Sequence, residues 1–224
     1  MMQKFATPAP VSAVLDIPAG HIRLIAADRA DTTVDILPAD ASKSRDVKAA
    51  ERAVVHCADG VLRIEVPQRS NPVLGGSGSI EVTVQLPAGS RVEAKTASAE
   101  FRGVGRLGDV TFEGAHGSVK LDETASARLS LLDGTIEVGR LGDSAEISTA
   151  KGDIRITEAV RGTVALRTEA GEVSVGAARG VSATLDAGTA HGRIHNALRN
   201  SEGSAAGLTI RVTTSYGDIT ARSL

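Results

Sequence analysis

The chain has 224 residues with 25 basic and 27 acidic side chains, a net charge of −2. Apolar residues make up 42% and exclude a disordered chain, and 24 glycines without a Gly-X-Y period exclude collagen. Near-neutral charge removes the electrostatic footprint of a nucleic-acid binder. The four aromatics, Phe5, Phe101, Phe112 and Tyr216, leave little to stack against bases or sugars.

The chain opens Met1-Met2-Gln3-Lys4-Phe5-Ala6-Thr7-Pro8, without the roughly 7 to 15 consecutive apolar residues of a secretory signal. No stretch approaches the ~18 apolar residues of a membrane span. The expectation is a cytoplasmic protein with no membrane insertion. Alternating strands are predicted at Val14-Leu15-Asp16-Ile17, Ile22-Arg23-Leu24, Val34-Asp35-Ile36, Val61 to Val66 and Ile80 to Leu86. Asp46 to Glu51 reads as a short helix, and Asn71 to Ser79, with Gly75-Gly76-Ser77-Gly78, as a flexible loop. Cys57 is the single cysteine, so no internal disulfide forms. Beside His56 it reads as a small strand residue rather than a reactive thiol.

From residue 99 a unit recurs: glycine, a small or polar residue, then an apolar one. It stands at Gly117-Ser118-Val119, Gly134-Thr135-Ile136, Gly152-Asp153-Ile154, Gly171-Glu172-Val173, Gly192-Arg193-Ile194 and Gly217-Asp218-Ile219, with Ala99-Glu100-Phe101 as an earlier copy. The steps are 18, 17, 18, 19, 21 and 25 residues. Two positions after the glycine every copy is apolar, from Phe101 to Ile219, and one further on every copy is polar. Seven upstream stand Val92, Val110, Ala127, Ala145, Val164, Leu185 and Ile210; five upstream stand Ala94, Phe112, Leu129, Ile147, Leu166, Ala187 and Val212. Period-two alternation on both sides of a glycine describes two half-buried strands and a corner. A unit this short cannot bury its own apolar face, but copies stacked ~4.8 Å apart align these columns into one core. Glycine suits a corner of positive φ. A threonine column three residues before it (Thr96, Thr149, Thr168, Thr189, Thr214) fits a pleated surface with a hydroxyl free to bond a neighbour.

The fold expected is therefore all-β: a single-domain β-solenoid over 1–224, β-helix-like, with about seven coils of 17–25 residues. Residues 1–90 supply N-terminal strands and a cap that closes the first coil, and 91–224 the repeat coils. The Leu86-Pro87-Ala88-Gly89 step, the units Thr149-Ala150-Lys151-Gly152-Asp153-Ile154, Thr168-Glu169-Ala170-Gly171-Glu172-Val173 and Thr214-Ser215-Tyr216-Gly217-Asp218-Ile219, and the opening Leu15-Asp16-Ile17-Pro18-Ala19-Gly20 share a pattern. In it the chain resembles the bacterial putative-adhesin family of β-strand-repeat proteins over roughly residues 11 to 221. The resemblance implies a β-solenoid domain of unknown function with an adhesin-like role.

Among chemical candidates, Glu100, Asp153, Glu172 and Asp218 share the column after the glycine. Asp153 and Glu172 fall in successive copies, where a glycan-cleaving enzyme on a β-helix would hold a carboxylate pair. The same column holds Ser118, Thr135 and Arg193, so the acids read as exposed corner residues and no catalytic residue is assigned. His191 and His195 lie four apart, about 13 Å along a strand, too far for one ion. No phosphate loop, nucleophile elbow or paired-cysteine motif occurs, and no metal or cofactor is expected. The best binding candidates are His191, Arg193, His195 and Tyr216, outward-facing and beside the longest insertions, Gly176 to Gly188 and Asn196 to Gly207. The last strand, ending Arg222-Ser223-Leu224, has no cap in the sequence and is expected to be an open edge. The function expected is a non-enzymatic scaffold or binding module. It takes an unknown protein partner or self-associates through that C-terminal edge. The alternatives are a filament-like structural protein and a carbohydrate-active β-helix enzyme.

Overall fold

Period-two alternation becomes strand nearly everywhere in the computed structural model, which describes residues 2–67 and 78–224. The loop expected over Asn71–Ser79 lies outside the described residues except for Gly78 and Ser79. The chain forms two compact units, Met1–Gly117 and Ser118–Leu224.

In the first unit the strands are β1 (Met2–Ala6), β2 (Ser12–Asp16), β3 (Ala19–Ala27), β4 (Asp31–Pro38), β5 (Val54–Ala58), β6 (Val61–Glu65), β7 (Ile80–Pro87), β8 (Arg91–Lys95) and the start of β9 (Ser98–Leu141). The predicted helix is α1 (Ser44–Arg52), with Asp46 and Ala49 turned inward. β2 and β3 do not simply overlie the first repeat. They make a coil of their own, inserted in parallel between two others: Ala13 lies between Leu62 and Val92, and Ile22 between Val82 and Phe101. The outer coil, β6 with β7, is closed by antiparallel partners. β5 pairs with β6, β4 with β7, and β1 with β4. Leu15, Leu24, Ile64, Val84, Phe101 and Phe112 are buried, the two phenylalanine rings 5.2 Å apart.

The second unit contains the rest of β9, then β10 (Ala145–Lys151), β11 (Ile154–Ala159), β12 (Gly162–Ala170), β13 (Val173–Ala177), β14 (Ala183–His191), β15 (Ile194–Ala197), β16 (Leu208–Tyr216) and β17 (Ile219–Ser223). Its pairings are parallel and join the columns read from sequence: Ala127 to Ala145 to Val164, and Ile136 to Ile154 to Val173. The order then departs from the chain. β12 pairs with β16, not β14, and β13 with β17; β14 and β15 stack on the far side of β16 and β17. The last coil is thus inserted between the two before it. The expectation of an open edge at the last strand is corrected accordingly. β17 is paired on both sides, and the edge passes to β14 and β15, which among the described residues have no strand partner on their other side.

The corner column has a sharper cause than a left-handed backbone. Gly152 and Gly217 do sit at φ +135° and +141°, but Gly171 and Gly192 fill the same column without positive φ. All four share a close approach. A Cβ on Gly152 would overlap the carbonyl of Gly134, one on Gly171 that of Gly152, one on Gly217 that of Gly171, and one on Gly192 that of Gly217. Gly152→Ala should therefore destabilise the protein by roughly 2–4 kcal/mol in denaturant melts, through overlap and backbone strain. Gly188→Ala is the control: nothing surrounds that position, and the change should be neutral or stabilising by up to ~1 kcal/mol.

One ion-paired acid in the first unit gives a pH test. The Arg29 guanidinium, 2.7 Å from Asp31, and the Lys4 ammonium, 2.8 Å away, hold its carboxyl down to about 2. The folded value lies below the unfolded one, so the stabilisation is complete above pH ~4 and is lost as pH falls towards 2. Carboxyl NMR should place the Asp31 midpoint near that lower value, and Lys4→Met should move it upward.

Candidate binding surface

At the last two corners the four residues singled out by sequence come together on the second unit. β14 and β16 run in register so that His191 faces Tyr216, and their rings stack 4.8 Å apart at 12°. Tyr216 is 60% exposed, so the stack is an outer feature and not a core contact. Around the Gly192 corner, Arg193 and His195 enter β15 beside Asp218 and Thr220 of the neighbouring coil. With Ile194 and Ile219 they line an open depression. Among the described residues no group of three or more His, Cys, Asp or Glu side chains is placed to hold a metal ion.

Arg193 is not a loose cation. Its guanidinium lies 2.9 Å from Asp218 Oδ2, and its backbone N–H donates to Asp218 Oδ1 at 2.9 Å. These bonds, the backbone N–H first, hold the Asp218 carboxyl below the usual carboxylate range. Asp153 acts in the same way two interfaces earlier, its Oδ1 accepting the Glu172 N–H at 2.8 Å. The two aspartates after the glycine, Asp153 and Asp218, thus bridge coils by accepting the next coil's backbone N–H. Cys57 lies in β5, and burial pushes its thiol pKa up, away from thiolate reactivity.

Sequence reasoning did not mark the apolar residues of this same copy. Its three inward columns are the exposed ones: Leu185 and Ala187 are half-exposed and Ile194 is 46% exposed, whereas Ile219, Val173 and Ile154 at the equivalent position are about 1% exposed. The signal available was the two longest steps, 21 and 25 residues, which flank this copy and carry the chain out past β16 and back. Their loops are tied together. The Ser182 hydroxyl bonds Asn200 Oδ1 and accepts the Ser201 and Glu202 N–H groups, and Ala183 N–H donates to the Arg199 carbonyl.

Parallel coils with inward β-branched columns and glycine corners define an all-β, β-solenoid-like class of protein. The family model for Toastrack DUF4097 matches residues 14–223, and the chain belongs to that family. Among curated proteins none matches. Solved structures similar to it include a putative adhesin from Bacteroides fragilis, 10% identical at TM-score 0.48, covering 99% of this chain and 96% of that one. Another is a putative lipid binding protein from Parabacteroides distasonis, 12% identical at TM-score 0.48, covering 98% and 96%. A third is a putative cell adhesion protein from Clostridium sporogenes, 12% identical at TM-score 0.40, covering 100% and 99%. Among the described residues no helix is long and apolar enough to cross a membrane.

Asp218→Asn removes the charge that anchors Arg193 and should loosen the outermost coil selectively. Hydrogen exchange is expected to quicken at the Arg193 amide and through β15, with β10 and β12 unchanged. Because the Asp218 pKa is depressed in the fold, acid should act in the same direction, the anchoring being lost as pH falls below the ordinary carboxylate range.

Proposed function

We propose that this protein is a non-enzymatic β-solenoid scaffold or binding module of about seven coils of 17–25 residues. It recognises a protein partner at the outer face of β14 and β15, with His191, Arg193, His195 and Tyr216 as its polar rim. The observation that carries this reading is the exposure of Leu185, Ala187 and Ile194 beside an unpaired strand. Elsewhere in the second unit the same columns are sealed by a neighbouring coil. An apolar strip next to unpaired backbone groups is the surface on which an extended segment adds to a sheet. The adhesin-like role implied by family resemblance is one form of such recognition. A glycan-cleaving role finds less support, since Asp153 is engaged in capping the Glu172 N–H.

The same open edge favours a second reading, self-association, in which another copy covers it. Light scattering at high concentration and electron microscopy separate the two: a concentration-dependent dimer or filament supports the second, a strict monomer the first.

Ala187→Pro tests the main reading. Ser182 O accepts the Leu208 N–H, while Ala183 N–H faces the opposite way towards Arg199. Alternation along a parallel ladder then turns the N–H groups of Leu185, Ala187 and Thr189 to the open side. Proline at 187 removes one outward donor and leaves the bonds to β16 intact, as edge strands permit. A native partner retained by the wild-type chain should be lost by Ala187→Pro at unchanged melting temperature, and weakened by Tyr216→Ala. Glycan-cleaving activity that survives Ala187→Pro and vanishes in Asp153→Asn would overturn the reading.

A further inference from the structure

The interfaces within the second unit share one rule, and it describes what the open face can accept. The Thr168 hydroxyl donates to the Gly152 carbonyl at 3.1 Å and that of Thr189 to the Gly217 carbonyl at 3.1 Å; Thr149 and Thr214 lie 3.4 and 3.3 Å from the Gly134 and Gly171 carbonyls and share their proton with the Lys151 and Tyr216 carbonyls at 3.2 and 3.3 Å. Each added coil thus sets a threonine hydroxyl on the corner carbonyl beneath it. It also sets a glycine above that carbonyl, where a Cβ would overlap. The rule holds across the inverted order as well, from Gly171 to Gly217 to Gly192, so it follows spatial neighbours and not chain neighbours. Gly192 is the last of the line. Its carbonyl has no hydrogen-bond donor among the described residues, and Leu185, Ala187 and Ile194 extend the inward columns to the surface beside it.

We propose that β14 and β15 accept one further coil in trans: an extended segment of another polypeptide carrying Thr-x-x-Gly-x-[Ile/Val], added in parallel with its glycine over Gly192 and its threonine hydroxyl on the Gly192 carbonyl. This inference rests on the reading of the open face as the binding surface and specifies the chemistry of the partner. The new contact continues the coil-to-coil interface already repeated beneath it. β14 and β15 contain no proline or lysine and one acid, Asp186, so the usual devices that repel an added strand are few. In the first unit, by contrast, β4 and β5 cover the outer coil with antiparallel strands. A second copy meeting this face edge to edge runs antiparallel and places no glycine over Gly192, so it does not satisfy the rule.

The test uses the full chain and a synthetic peptide of the Leu208–Ser223 sequence, which contains Thr214-Ser215-Tyr216-Gly217-Asp218-Ile219. Saturable binding by fluorescence anisotropy is expected, with slowed hydrogen exchange at Leu185, Ala187 and Thr189. A peptide with alanine in place of Gly217 should bind about tenfold more weakly or worse, as overlap at the corner requires. Ala187→Pro in the protein should abolish binding while its circular dichroism is unchanged. No binding, equal affinity for the alanine peptide, or protection only outside β14 and β15 would overturn the proposal. So would a dimer that protects these amides without peptide. If a native partner still depends on Ala187 while the peptide fails, the binding face stands and the parallel-coil partner falls.

Discussion

Backbone stacked on backbone at the corner is the constraint from which the rest of the second unit follows. Strands in a ladder lie ~4.8 Å apart, and where the chain turns between two of them the carbonyl of one coil points at the Cα of the next. A side chain at that point would force the coils apart, so the corner is glycine at 152, 171, 217 and 192. Once the corner is set, register is set. A shift by one residue would turn every inward side chain outward, and the Val, Ile, Leu and Ala columns would lose their burial. Threonine three residues earlier is then within reach of the carbonyl that the missing Cβ left accessible. Asp153 and Asp218, one residue later, reach the next coil's N–H. Three positions of the motif thus express one contact seen from different sides.

The two units end differently, and the difference lies in how each closes its outer coil. The first sets antiparallel strands against β6 and β7, so their edges are used. The second sends its last coil inward, where β16 and β17 are paired on both sides, and leaves the previous copy outside. That copy keeps apolar residues in its inward columns even though, among the described residues, no coil lies beyond them. Insertion between two coils pairs β16 and β17 on both edges, and the Leu224 N–H donates to the Ala177 carbonyl. The consequence is transferred to β14 and β15, where Asp218 holds Arg193 and the two tied loops hold the ends of the coil.

Much of this was legible in the sequence because the constraint is local. Period-two columns and corner glycines identify strands, corners and inward residues without knowledge of which coil is whose neighbour. For the same reason coil order was not legible. Gly192-Arg193-Ile194 satisfies the pattern as well as Gly152-Asp153-Ile154 does, and the stacking rule accepts Gly217 on Gly171 as readily as Gly192. The distinction lies in the connections, Gly176 to Gly188 and Asn196 to Gly207, whose extra length carries the chain across an intervening coil. The pairings at the candidate residues have a simple reason: His191 with Tyr216 and Arg193 with Asp218 belong to copies adjacent both in sequence and in space. Gly171 and Gly192 are adjacent in sequence alone.

Thin coils also explain the character of the surface. Phe101 and Phe112 are buried in the first unit, whereas the second holds a single aromatic residue, Tyr216, outside an interior filled by Val, Ile, Leu and Ala. At the outer face Tyr216 lies flat against His191, while Arg193 is already neutralised by Asp218. Neither pairing builds the enclosed, water-excluding pocket in which charges act on a substrate. Both flank unpaired backbone and apolar side chains arranged in a line. On the proposed reading such a surface reads length, register and the absence of a Cβ, which are properties of an extended polypeptide, and the glycine that organises the interior is then also the feature by which a partner would be selected.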